Sequence, residues 1–129
     1  MKKLKTLAFV ILSCMTFASC GGSEKEASSY KQISAEAAME LMEKEEGYVI
    51  LDVRTQEEYD EKHIPGAILI PNEAIGTEEI SELPDKEQMI LVYCRSGNRS
   101  KQAAEKLVKL GYTNVIEFGG IKDWTGEVE

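Results

Sequence analysis

Residues 89–100, "MILVYCRSGNRS", set one cysteine between an apolar run and a polar turn. Cys94 is followed by Arg95, Ser96, Gly97, Asn98, Arg99 and Ser100, with no large apolar side chain among them. A strand that ends in such a turn and then enters a helix aims its thiol at the first backbone N–H groups of that helix. Those groups lack intrahelical partners and carry the positive end of the helix dipole. Gly97 lets the turn curl further N–H groups inward as an anion-binding nest. These amides, together with the guanidiniums of Arg95 and Arg99, favour thiolate over thiol. The thiolate is the nucleophilic form, so the pattern points to a cysteine nucleophile held in a cradle for an anion. The polar residues that follow Cys94 also argue against its burial in an apolar core.

The remaining cysteines sharpen this reading. The chain has three in 129 residues, Cys14, Cys20 and Cys94. Cys14 and Cys20 belong to an N-terminal export signal, which leaves Cys94 as the free thiol, with no intrachain disulfide expected. No Cys/His cluster with metal-ligand spacing exists to bind a metal.

The elements that must position Cys94 follow from four apolar runs: "YVILDV" (48–53), "AILIP" (67–71), "MILVY" (89–93) and "NVIEF" (114–118). They are rich in β-formers and only weakly alternating, as strands covered on both faces are. A weak further strand, "YKQIS" (30–34), precedes them. Between the strands, residues 34–47 read as a helix with Ser34 as N-cap and Gly47 as stop. Residues 55–63 open with Thr55 and Glu58 at capping-box spacing. Residues 99–111 present Ala103, Leu107, Val108 and Leu110 on an apolar side and end at Gly111. Strands alternating with helices predict an α/β domain with a mainly parallel sheet of about five strands and helices on both faces. Ligands bind beyond the carboxyl ends of such strands. That brings "DVRT", with Asp52 and Arg54, beside the Cys94 loop.

The N-terminus is read separately. Lys2, Lys3 and Lys5 precede the apolar run 7–18, which is short for a membrane span and closes on small residues before Cys20. It resembles the lipobox of bacterial lipoproteins, which implies cleavage after residue 19, acylation of Cys20 and lipid anchoring outside the cytoplasm. Residues 20–29 then form the lipidated cysteine and a Gly/Ser/Glu-rich tether, and 30–129 the folded domain. Losing residues 1–19 removes three of the 15 basic residues and none of the 23 acids. The formal charge falls from −8 to −11, which disfavours nucleic-acid binding and attraction to anionic headgroups. Attachment to the membrane would come from acyl chains alone.

Three landmarks in order resemble the rhodanese (thiosulfate sulfurtransferase) family, specifically its single-domain members. They are "LDVRTQEEYDEKHIPGAILIP" (51–71), "CRSGNRS" (94–100) and "FGGIKDW" (118–124). The resemblance implies a rhodanese-like three-layer fold and a two-step exchange. Cys94 takes a sulfane sulfur from a thiosulfate-like or persulfide donor and passes it from a persulfide to a thiol or cyanide. The amides of residues 95–99 stabilise the persulfide, Arg95 and Arg99 orient the donor anion, and Ser96, Gly97 and Asn98 complete the binding loop. Ser100 supports through hydrogen bonds. Asp52 either supports a loop arginine or caps its strand, and Arg54 is its neighbour in a supporting role or a salt bridge. His63 is read as part of a structural turn and Trp124 as core packing, while the acids of 57–62 read as a solvated helix face. The alternatives are a non-enzymatic persulfide carrier and a cysteine phosphatase or arsenate reductase. The latter resemble the same fold but use Cys-x5-Arg, whereas Cys94 to Arg99 is Cys-x4-Arg.

Overall fold

The computed structural model describes residues 29–129. Residues 1–19, expected to be a signal, Cys20 and the expected tether up to residue 28 lie outside the described residues. The elements are β1 (Lys31–Gln32), α1 (Ala35–Lys44), β2 (Val49–Asp52), α2 (Gln56–Glu61), β3 (Ile68–Leu69), β4 (Ile90–Cys94), α3 (Asn98–Lys109) and β5 (Val115–Gly120). Single 3₁₀ turns follow β3 at Asn72–Ala74 and β5 at Ile121–Asp123. The strands form one sheet in the order β1-β5-β4-β2-β3, and every neighbouring pair is parallel.

Local chemistry sets the helix starts. Ser34 Oγ accepts the Ala37 N–H at 3.1 Å, and Thr55 with Glu58 forms a complete capping box on α2. α3 starts at Asn98, one residue before the expected position 99. Its N-cap is Gly97, in left-handed conformation at φ 108°, and no side chain caps it. The first-turn amides are therefore left for whatever the loop holds.

β4 lies between β5 and β2, and all of its residues are buried. Its alternation separates two cores. Ile90, Val92 and Cys94 face α3 and cluster with Leu51, Val53, Ala103, Leu107 and Tyr112. Leu91 and Tyr93 face the opposite layer, with Ala38, Ile50, Ile116 and Phe118, against which Leu41, Tyr59 and Trp124 pack. Each fully buried leucine or isoleucine here contributes about 1.5–3 kcal/mol. Cys94 thus belongs to a core, against the expectation from its polar neighbours; the loop after it folds back over the sulfur and leaves the residue 1% exposed.

Candidate active site

The last residue of β4 is Cys94, and its surroundings depend on an irregularity in β5. Val92 is paired with Glu117 but Cys94 with Gly120, so β5 carries an extra residue, and Gly119 absorbs it at φ +93°. Gly120 then lies flat against the returning loop. A methyl group there would sit 1.9 Å from the Arg95 carbonyl oxygen, so only glycine permits the approach. The same carbonyl accepts the Lys122 N–H at 3.3 Å, which fixes the loop's first residue.

Inside the loop, Cys94 Sγ accepts the Gly97 N–H at 3.0 Å and lies 3.5 Å from Ser100 Oγ. Burial alone would push the thiol up. The hydrogen bonds from the Ser100 side chain and from the backbone of Ser100, Gly97 and Ser96 outweigh it, and the net shift is downward. Dipolar donors, more than the arginines, therefore favour the thiolate.

The arginines have separate partners. Arg99 forks onto Glu58, with Nη1 donating to Oε1 at 2.9 Å and Nη2 to Oε2 at 3.1 Å. That fork, together with the bonds from Thr55, holds the Glu58 carboxyl down at about 2 despite partial burial. The pairing raises Arg99 in turn, and the Cys94 charge adds a smaller through-space effect. Glu58 is thus not part of a solvated helix face. The capping box fixes its backbone at the start of α2 and turns its carboxylate toward the loop. Arg95, in contrast, is exposed and has no ion pair among the described residues. With Arg54, Glu58, Glu61, Lys62 and Lys122 it lines a cavity of about 520 Å³ beside the loop.

Asp52 is fully buried and serves Arg54, not a loop arginine. Arg54 Nε and Nη2 donate to its two carboxylate oxygens at 3.0 and 2.7 Å, and the Tyr93 hydroxyl donates to Oδ2 at 2.6 Å. Arg54 Nη2 also reaches the Lys62 carbonyl at 2.7 Å, and Ile64 N–H donates to the Tyr93 hydroxyl at 3.1 Å. The network ties the end of β2 to the turn at 62–67 and so builds the cavity wall. His63 in that turn stacks on Tyr59 at 3.8 Å and meets Glu129, a structural set of partners. Trp124 packs on Phe118 at 5.8 Å. Ser96 and Asn98 are exposed on the loop's outer side, whereas Ser100 is fully buried beside the sulfur.

The reading of the residues missed Glu117. It is 2% exposed, on the α3 side of β5, with Oε2 2.5 Å from Ser100 Oγ. Its signal was a lone acid inside the apolar run "NVIEF", where a buried carboxylate requires partners. Among the described residues, no group of three or more His, Cys, Asp or Glu side chains is placed to hold a metal ion.

Known proteins with this arrangement agree with the fold. The sequence pattern of the rhodanese-like domain matches residues 34–127. The chain is 40% identical over 110 residues to YrkF of Bacillus subtilis (strain 168), named as a candidate sulfur carrier protein. That match covers 83% of this chain and 57% of the length of YrkF. It is 42% identical over 96 residues to GlpE of Coxiella burnetii (strain RSA 331 / Henzerling II), named a thiosulfate sulfurtransferase, covering 74% of this chain and 87% of GlpE. A solved structure of an Escherichia coli rhodanese with anions is similar at 40% identity and a TM-score of 0.59, over 64% of this chain and 96% of that one. With five parallel strands, a Cys94 loop closed on Gly120 and a match running from the cap of α1 past the end of β5, the chain belongs to the rhodanese-like domain family.

Proposed function

We propose that this domain transfers sulfane sulfur through a persulfide on Cys94, from a thiosulfate-like or persulfide donor to a thiophilic acceptor. One observation carries the reading: a buried sulfur that receives the Gly97 N–H at 3.0 Å, in a loop whose next residue, Arg95, lines a cavity with Lys62 and Lys122 as well as Glu58 and Glu61. The cations attract a donor anion, and Arg95, whose fork of donors is unpaired among the described residues, orients a sulfonate. The Cys94 thiolate attacks the outer sulfur of thiosulfate. A sulfur–sulfur bond forms to Sγ, the bond to the sulfonate breaks, and sulfite leaves with the bonding pair. The charged outer sulfur then rests among the loop amides. An acceptor thiolate or cyanide attacks it, the Cys94 thiolate is regenerated, and the exchange is ping-pong. The near-complete burial of Sγ favours a slim donor end, and a terminal sulfane sulfur is the slimmest available.

The test is thiocyanate formation from thiosulfate and cyanide by the purified full chain. Activity is expected for the wild type and its loss, by at least about 1,000-fold, in Cys94→Ser. Thiocyanate formation that survives the substitution rejects Cys94 as the carrier. A second reading, a carrier that receives sulfur from a partner enzyme, draws on the likeness to YrkF. A Cys94 persulfide that forms but turns over only with a partner protein would select it.

We also propose that the chain is anchored by lipid on Cys20 outside the cytoplasm, supported by Lys2, Lys3, Lys5, the apolar run 7–18 and the small residues before Cys20. Metabolic labelling with a radioactive fatty acid is expected to mark the wild type and not Cys20→Ala. Equal labelling of both excludes this site.

A further inference from the structure

Glu117 is a buried carboxylate that the sulfur exchange does not use. Its Oε2 lies 2.5 Å from Ser100 Oγ and accepts the Gly119 N–H at 2.9 Å. It has no cation within ion-pair distance among the described residues. Its compensation comes from hydrogen bonds instead of an ion pair. Ser100 Oγ is also 3.5 Å from Cys94 Sγ, 3.0 Å from the Gly97 carbonyl and 3.4 Å from the Gly119 carbonyl. The hydroxyl has one proton to donate, so it cannot serve Glu117 and the sulfur together.

Two arrangements satisfy this cluster. With Glu117 ionised, the charged oxygen takes the Ser100 proton, and the hydroxyl lone pair accepts the Cys94 S–H. With Glu117 protonated, its O–H donates to Ser100 Oγ, and the serine proton turns to a Cys94 thiolate. They differ by a double proton shift. The S–H bond breaks as a new Oγ–H forms, while the original Oγ–H breaks and an O–H forms on Glu117. No proton leaves the site, and the negative charge moves from carboxylate to sulfur.

We propose that Ser100 links Cys94 and Glu117 into one proton-sharing unit, in which Glu117 stores the proton that the nucleophile gives up. Glu117 is a positioning residue acting through Ser100, and the inference rests on Cys94 being the reactive thiol of the proposed function. The unit lets a thiolate form in a buried loop without creating a second negative charge beside it. Other charged groups face it from two sides. Arg99 of α3 couples to the sulfur and is itself bound by Glu58 of α2, with Glu73 acting on it more weakly. Arg95 flanks Cys94 in the loop; from β1, the residue registered with Glu117 is the uncharged Gln32, and Lys31 pairs with Ile116, which belongs to the opposite core.

The test is the pH profile of Cys94 alkylation by iodoacetamide in the full chain, read by mass spectrometry on the peptide that carries Cys94. The wild type is expected to show two steps, because two groups share one proton. Glu117→Gln is expected to show a single step, displaced to lower pH than the upper step of the wild type, since the opposing carboxylate is gone. Ser100→Ala is expected to lose the lower step while Ser100→Thr, which keeps the hydroxyl, retains it. A single-step wild type, or a profile unchanged in Glu117→Gln, overturns the proposal. Should that variant not fold, the alkylation profiles of Ser100→Ala and Ser100→Thr decide, and a lower step that survives in Ser100→Ala overturns the inference. Thiocyanate formation is not part of this readout, so failure of sulfur transfer and failure of the proton link are separable results.

Discussion

At Cys94 two opposing effects meet, since burial disfavours the thiolate and the loop's donors favour it. The donors win because three backbone groups and one hydroxyl converge on a single atom, and their combined hydrogen bonding exceeds the cost of desolvation. Glu58 shows the same logic on a carboxylate. Its folded-state value of about 2 lies below the ordinary 4.5, so its pairing with Arg99 stabilises the fold above that ordinary value. The contribution is lost as pH falls from there toward 2. Glu58→Gln is accordingly expected to lower stability at neutral pH by about 1 kcal/mol, through loss of the charged fork, since glutamine keeps the capping-box acceptor. It should also flatten the acid limb of stability between those values. Urea unfolding midpoints measured across that range check both outcomes, and an unchanged acid limb assigns the acid sensitivity to other carboxylates.

The loop is held by contacts between elements. β4 delivers Cys94, β5 meets it with a glycine, and α3 starts at a left-handed Gly97 that leaves its first amides unclaimed. Gly120→Ala places a methyl inside the Arg95 carbonyl, so either the loop or β5 must shift. The expected result is a loss of about 1–3 kcal/mol in stability, the usual cost of overpacking. Transfer activity should fall further than stability explains, by roughly 100-fold, because displacement by about 1 Å spoils alignment of the nucleophile. Kinetics at a temperature where the variant remains folded separate the two effects. Activity near that of the wild type would show that the close approach is not what aligns the sulfur.

Across the molecule, the formal charge is −8, yet one cavity beside the Cys94 loop is lined by Lys62, Arg95 and Lys122, which have no ion pairs among the described residues and outnumber the likewise unpaired Glu61. Under the proposed function an acidic body would repel a dianionic donor, and capture would depend on this local field, which salt screens within about 10 Å at 0.1 M. The KM for thiosulfate is therefore expected to rise with ionic strength. Arg95→Ala should raise it by about tenfold at low salt, with little change in stability, since the side chain is exposed and unpaired. Steady-state kinetics over a salt series decide. A KM indifferent to both salt and Arg95 would place donor recognition in the loop amides alone.

The amino-acid order by itself determined the α/β architecture, because apolar runs of strand length alternate with capped helical segments. It also singled out Cys94 as the candidate nucleophile, since that residue stands at a strand end followed by a polar turn. Asp52, Arg54 and the loop were legible as neighbours for the same reason: parallel strands send their carboxyl ends to one edge. Tertiary structure alone decided which partners these groups take. Arg99 and Glu58 are 41 residues apart, and Ser100 and Glu117 are 17 apart. No local periodicity encodes such distances; the sheet order and the bulge in β5 create them. Burial of Cys94 was decided in the same way, because whether a polar turn exposes or covers the sulfur depends on Gly120 lying across it. Chain order specified the chemistry that could occur, and packing between distant elements specified where its charges and protons reside.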